Sequence, residues 1–460
     1  MTWTRRGFLS AATLAPLAAQ DQNEPEVASS RPNILLILGS DLPAWALGCY
    51  GNKEIRTPNI DLLARTGTRF LNSYACTPMG SPSRATLFTG LTPPQHGIED
   101  FLTPNPVDNP PQGQKAPPGS FSSQVMISDL LAGNGYQCGY IGKWDMGSDA
   151  KPGHGFEYSY TLSPESGYTN PKMFLNGNAV EETGYLPDLL TNRAGEFLGR
   201  QKPGSPFFLT VGYLNPEAPY EGHPRKFYDL YANSRFDTIG WEPAAANALR
   251  DKAYLSDIVG NNRKHAAAVS ALDAQLPALL KHLRSHSLSE NTLIIFTSDN
   301  GCLLGRHGLW GKGHASDPVN LYEETMRVPL IWRWLGKTPP EATRPELVST
   351  YDLLPTLAAI TGAQLPRNRE YCGRDYSRAA FNRPSKQAWR MLLFGHFRYA
   401  DMVRDARYKL VLRQDGKGPN ELYDLRVDPR ERVNQYDNQQ FLQVKNALTR
   451  EIAGWRKKYS

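Results

Sequence analysis

The chain has 460 residues, 40% hydrophobic and 21% charged, enough apolar material for a large core, which excludes a disordered chain and a small disulfide-stapled scaffold. Its 51 basic and 45 acidic residues are interspersed, so the net charge of +6 makes no basic stripe and no nucleic-acid partner is expected. Five cysteines with no C-x-x-C pair argue against a structural zinc site and allow at most two disulfides.

Arg5-Arg6, the apolar stretch at 11–19 and the polar residues after it read as a twin-arginine export signal. Signal and linker occupy residues 1–28, and a periplasmic or secreted location is expected. No apolar run approaches the ~20 residues of a membrane span. Residues 33–38, 139–142, 207–213, 293–297 and 328–332 are continuous apolar runs of the kind buried parallel strands show. Thr57-Pro58 predicts an N-cap and first residue of a helix through Ala64, ended by Gly67. The Pro-rich segment 93–118 predicts a surface loop near a cleft mouth. Leu272, Leu276, Leu279 and Leu283 predict one long helix kinked at Pro277.

From about Trp389 the pattern becomes short strands at 391–394, 399–404 and 408–413, then an amphipathic helix at 440–459. Strands alternating with helices predict an α/β domain at 29–385, with a large mixed, mostly parallel sheet flanked by helices. A small antiparallel α+β subdomain is expected at 386–460.

Ser40-Asp41 follows the first strand run, and Thr297-Ser298-Asp299-Asn300-Gly301 ends and follows a later one. Open α/β sheets gather functional groups at such carboxyl ends. Other motifs follow in order: Arg31-Pro32-Asn33-Ile34, Thr57-Pro58-Asn59-Ile60-Asp61, Ser81-Pro82-Ser83-Arg84 with Thr89-Gly90, and Gly142-Lys143-Trp144. Then come His307-Gly308-Leu309-Trp310-Gly311-Lys312-Gly313, Arg327-Val328-Pro329, and Leu422-Tyr423-Asp424-Leu425 with Asp428-Pro429. From Arg31 to about Asn434 the chain thus resembles the sulfatase family, of alkaline-phosphatase-like fold.

The resemblance implies a cysteine or serine, oxidised to formylglycine, four residues before Arg84. Here that position is Gly80, so no formylglycine is expected. Cys76 opens a Cys-Thr-Pro but has glycine where the motif needs arginine, and reads as a packing residue. The family's calcium or magnesium ion implies two adjacent aspartates and a later Asp-Asn pair. This chain offers Asp41, Asp299 and Asn300, with Ser40 in place of one carboxylate. Two family histidines correspond to Asp145 and Glu217, while Arg84, Lys143 and Lys312 match its cationic positions. His96 and His307 read as structural.

Removing the nucleophile while adding two carboxylates predicts a repurposed pocket. Asp145 and Glu217 become an acid and a base or nucleophile for glycoside hydrolysis, with Arg84, Lys143, Lys312, His314 and the space at Gly80 binding a carbohydrate substrate. Trp45, Trp144, Tyr213, Tyr220 and Trp310 are aromatic candidates for stacking on sugars, most of them expected in the core. The alternatives are an inert glycan- or partner-binding protein and a residual sulfuric-ester hydrolase.

Overall fold

The computed structural model describes residues 31–102, 123–147, 149–202, 204–385 and 387–460. The predicted export signal and most of the Pro-rich loop lie outside the described residues. Within that loop's range, Pro93–His96 forms a short helix.

Ten strands build one sheet: β1 (Asn33–Gly39), β2 (Thr68–Tyr74), β3 (Gln137–Gly142), β4 (Tyr158–Leu162), β5 (Lys172–Leu175), β6 (Asn178–Glu181), β7 (Phe207–Gly212), β8 (Thr292–Ser298), β9 (Leu330–Arg333) and β10 (Ala342–Ser349). Their order is β10-β2-β9-β8-β1-β7-β3-β4-β5-β6. The run β8-β1-β7-β3-β4 is parallel throughout.

β1 explains its own apolar run. Leu35 and Ile37 enter the core on one face, and Ile34, Leu36 and Leu38 the core on the other. A strand covered on both faces has no polar side to alternate with.

β9 corrects the expectation of a parallel strand at 328–332, because it runs antiparallel to both β8 and β2. Burial on both faces gives the same apolar run whichever way a strand points, so periodicity alone does not set direction.

The long helix expected around Leu272 is two helices, Ile258–Asp273 and Leu276–Ser285. Pro277 lacks an N–H, and its ring would meet the carbonyl of Asp273 in a continuous helix, so the chain breaks there. Asp273 then caps a different helix. Its carboxylate accepts from the backbone N–H of Asn59 and Ile60, at 3.0 and 2.7 Å, at the start of Pro58–Arg65. Thr57, expected as that cap, instead accepts from the Gly48 N–H and donates to Asp61.

A second, antiparallel sheet follows: β11 (Leu393–Phe397), β12 (Ala400–Arg404), β13 (Tyr408–Arg413) and β14 (Glu421–Asp424), in that order. Helix Leu442–Tyr459 lays Leu448 and Ile452 on it, and Trp455 stacks on Phe394 at 5.4 Å. All five cysteines are free, so neither of the two disulfides allowed by the sequence forms. Among the described residues no helix is long and apolar enough to cross a membrane.

Candidate active site

Four neighbouring parallel strands deliver residues to one place. β1 ends into Ser40-Asp41, β8 into Asp299-Asn300, β3 into Lys143 and Asp145, and β7 into the segment that carries Glu217. The close approach of β3 to β7 depends on Gly142. Its φ is +109°, and a Cβ there would lie 1.9 Å from the Gly212 carbonyl oxygen. Helix Gly80–Thr89, buried along its whole length, brings in Gly80 and Arg84, and Lys312 comes from the loop after Trp310.

The ion pairs form a chain. Arg84 Nε meets Asp299 Oδ2 at 2.9 Å, and its Nη2 donates to Ser40 Oγ at 2.7 Å. Lys312 Nζ lies 2.9 Å from Asp41 Oδ1 and 3.2 Å from Glu217 Oε1. Lys143 Nζ lies 2.5 Å from Glu217 Oε2 and 3.4 Å from Asp145 Oδ2. Those two carboxylate oxygens share one ammonium, so they are no more than about 6 Å apart, close to the separation of paired catalytic carboxyls.

Asp145 takes the space beside Gly80. A Cβ on Gly80 would stand 2.8 Å from Asp145 Oδ2, and that oxygen is buried without a hydrogen-bond partner. Asp41 and Asp145 are both held at positive φ, 57° and 60°, conformations that most side chains avoid and that concentrate at functional sites.

Electrostatics separate the acids. Burial raises the Asp145 carboxyl against the opposing pull of Lys143 and Arg84, which favours its protonated form. Burial also opposes ionisation of Glu217, but Lys143 and Lys312 outweigh it and hold that carboxyl down to about 2. Asp41 is pushed up to about 6 by burial, with Lys312 pulling the other way. Both lysines stay above their ordinary value, because their carboxylate partners outweigh burial.

His314 is pushed down to about 3 by burial and by Lys312, so it is neutral. Its Nδ1 is buried without a hydrogen-bond partner among the described residues. His96 bonds to Thr86 Oγ1 at 3.1 Å, as a structural histidine would, and the Cys76 thiol is buried and raised well above its ordinary value. Of the aromatic candidates, Trp144, Tyr213, Tyr220 and Trp310 are core, and Trp45 alone is partly exposed.

Three supporting residues have no role in the motif reading. Tyr140 hydroxyl accepts from Arg84 Nη1 at 3.2 Å and donates to the Lys143 carbonyl. Ser83 Oγ donates to the Asp299 carbonyl, and Asp149 Oδ1 accepts from the Asp145 N–H at 3.1 Å. Ser83 sits inside a recognised motif. Tyr140 looks like any strand residue, and Asp149 lies in a loop, so neither carries a signal of its own.

The residues expected to hold a divalent cation do converge, but three of their four carboxylate oxygens are committed to protein donors. Asp299 Oδ1 accepts from the N–H of Asp41 and of Asn300, and Asp299 Oδ2 is held by Arg84. Asp41 Oδ1 takes Lys312 and the Asn300 amide. Asn300 Oδ1 is left as a buried oxygen without a partner. Calcium takes about six to eight oxygens, and the donor set here does not fit that cage. A separate trio, His307, Glu324 and Glu431, brings ligand atoms within 4.8 Å of one another. Lys409 lies 2.7 Å from Glu431 and Arg306 3.3 Å from Glu324, so that trio already has its counter-charges.

Residues 32–363 match the family model Sulfatase, and residues 305–458 match N-sulphoglucosamine sulphohydrolase, C-terminal. The chain belongs to the sulfatase family. It is 25% identical to the N-acetylglucosamine-6-O-sulfatase of Bacteroides thetaiotaomicron, over 98% of this chain and 90% of that protein. It is 24% identical to the Ulvan-active sulfatase of Formosa agariphila, over 93% and 81%. Among solved structures it resembles BT4656 in complex with its substrate D-glucosamine-2-N,6-O-disulfate. That likeness has a TM-score of 0.78 at 23% identity and covers 94% of this chain and 98% of the other. The sulfatase fold expected from the motifs is therefore present.

Proposed function

We propose that this sulfatase-family chain is an exported hydrolase that cleaves a glycosidic bond of a carbohydrate with Asp145 and Glu217, without formylglycine chemistry. One observation carries the reading. Two carboxyls beside Gly80 share a lysine and are driven apart in ionisation, Asp145 up and Glu217 down to about 2. Glycoside hydrolysis needs such a pair, one protonated and one ionised.

In this reaction Asp145 gives its proton to the leaving oxygen. Glu217 either attacks the anomeric carbon or takes a proton from water that attacks it. The spacing of about 6 Å at most favours the attacking role. Lys143 and Lys312 keep Glu217 ionised, Arg84 fixes the Asp299 and Ser40 side of the pocket, and His314 offers an uncharged polar edge to a hydroxyl. No step calls on a divalent cation. Gly80 presents no atom to oxidise, and two acids stand where a sulfate would need donors. The relatives' carbohydrate sulfates point to an acidic polysaccharide fragment as substrate. Signal removal at 1–28 and a subdomain boundary near 385 complete the proposed organisation.

A second reading, an inert glycan binder, is favoured by the mutual pairing of Lys143, Lys312, Asp41 and Glu217, which leaves few unengaged donors. Digestion of a panel of sulfated and unsulfated oligosaccharides, followed by mass spectrometry, separates the readings. Loss of a sugar unit, abolished in Asp145→Asn and Glu217→Gln, is expected. Release of sulfate overturns the proposal, and binding without products supports the inert binder.

A further inference from the structure

A second feature lies at the seam between the large sheet and the C-terminal sheet. A crevice of about 240 Å³ opens there, lined by Arg306, Arg327, Arg404, Arg430, Glu323 and Glu324 together with Trp45. It shares no residue with the Gly80 cluster.

Its charges do not cancel. Glu323 is met by Arg404 at 2.7 Å and Lys409 at 3.5 Å, and Glu324 by Arg306 at 3.3 Å and His307 at 3.4 Å. Two arginines remain without a carboxylate among the described residues. Arg327 directs Nε and Nη2 to the Leu71 carbonyl, and the acid it feels, Glu323, is already shared by Arg404 and Lys409. Arg430 is exposed and, among the described residues, makes no ion pair. Arg306 lies with its guanidinium 4.0 Å from the Trp45 ring centroid, and the Trp45 Nε1 has no hydrogen-bond partner. Arg306 is also pushed below its ordinary value, first by burial and further by Arg430, while Glu324 pulls the other way.

We infer that this crevice binds an oxyanion of an acidic oligosaccharide, a sulfate ester or a uronate carboxylate, outside the reaction site. A planar guanidinium fork suits either group, and an anion between Arg327 and Arg430 supplies the counter-charge the protein lacks. Trp45 and Arg306 then form the floor on which the sugar rests. The inference relies on the carbohydrate reading above, and the crevice would hold a longer chain while one of its units is processed elsewhere.

The test is calorimetric binding of three probes to the full chain: a heparin-type sulfated hexasaccharide, its desulfated and still carboxylated counterpart, and a neutral hexasaccharide. At least one acidic probe is expected to bind more tightly than the neutral one, and which of the two does so identifies the oxyanion. Arg430→Gln, exposed and free of ion pairs, should weaken that binding at least fivefold, and adding Arg327→Gln should weaken it at least tenfold, with the thermal unfolding midpoint of Arg430→Gln unchanged. Acidic binding equal to neutral binding, or affinity within twofold of wild type in both variants, overturns the inference. Arginine-dependent binding with no sugar release refutes only the catalytic reading. Sugar release with arginine-independent binding refutes only the crevice.

Discussion

Gly80 and Asp145 share one space, so each constrains the other. In a helix, glycine to alanine ordinarily adds up to about 1 kcal/mol of stability. At Gly80 the new Cβ meets Asp145 Oδ2 at 2.8 Å, so Gly80→Ala should instead cost about 1 to 3 kcal/mol. Gly80→Ala with Asp145→Ala should cost less than the sum of the two single changes, which a double-mutant cycle in urea measures. Additive costs would mean that the two residues do not share the space.

The Glu217 carboxyl makes a prediction about pH. Its value in the folded chain, about 2, lies below the 4.5 of an ordinary glutamate, so the unfolded chain binds more protons between those limits. Its contribution to stability is therefore present above about 4.5 and lost as pH falls through about 2. Unfolding midpoints measured across that window should fall less steeply with acid in Glu217→Gln than in the parent. In the proposed glycoside reaction the raised Asp145 value should set the alkaline limb of the profile, and Asp145→Asn should remove activity rather than move that limb.

At the scale of elements, the contact of β3 with β7 depends on a residue with no side chain. Gly142→Ala places a Cβ 1.9 Å from the Gly212 oxygen at a φ of +109°. The expected cost is about 3 kcal/mol or more, read as a loss of soluble yield or a lower urea midpoint. β13 is fastened in another way. Lys409, fully buried, pairs with Glu431 at 2.7 Å, so Lys409→Met leaves a buried acid unmatched. A cost of about 3 to 5 kcal/mol is expected, and chemical denaturation checks it.

The strands show what could be read from sequence. β1, β7 and β8 are buried on both faces and stand out as apolar runs. β10 does not, because its first half alternates with solvent, contains Pro345 and carries a register shift between Arg344 and Leu347. β5 and β6 are short, and β6 is mostly exposed. The site was legible as a set of residues, since Arg84, Lys143, Lys312, Asp41 and Asp299 all sit in recognisable motifs. Their pairing was not. Which carboxylate each cation meets depends on β7 lying between β1 and β3, and no local pattern states that order.

For the whole molecule, internal cations stand where a sulfatase would be expected to place a metal. If Lys312 and Arg84 satisfy Asp41 and Asp299, removing divalent ions should not loosen the fold. The thermal unfolding midpoint should be the same, within about 1 °C, in calcium and in excess chelator. A shift of several degrees on adding calcium would mean that Asp41 and Asp299 do hold the ion.

The carboxylate beside Gly80 also limits what position 80 can hold. A cysteine placed at position 80 would set its first carbon against Asp145, in a pocket whose lysine is already engaged by two acids. Changing Asp145 first would strip Lys143 of one of those acids before any side chain stood beside it. Each single change therefore leaves either a crowded carbon beside Asp145 or Lys143 with Glu217 as its one remaining acid. A side chain at position 80 therefore needs both positions to change together, so the glycine and the aspartate hold each other in place.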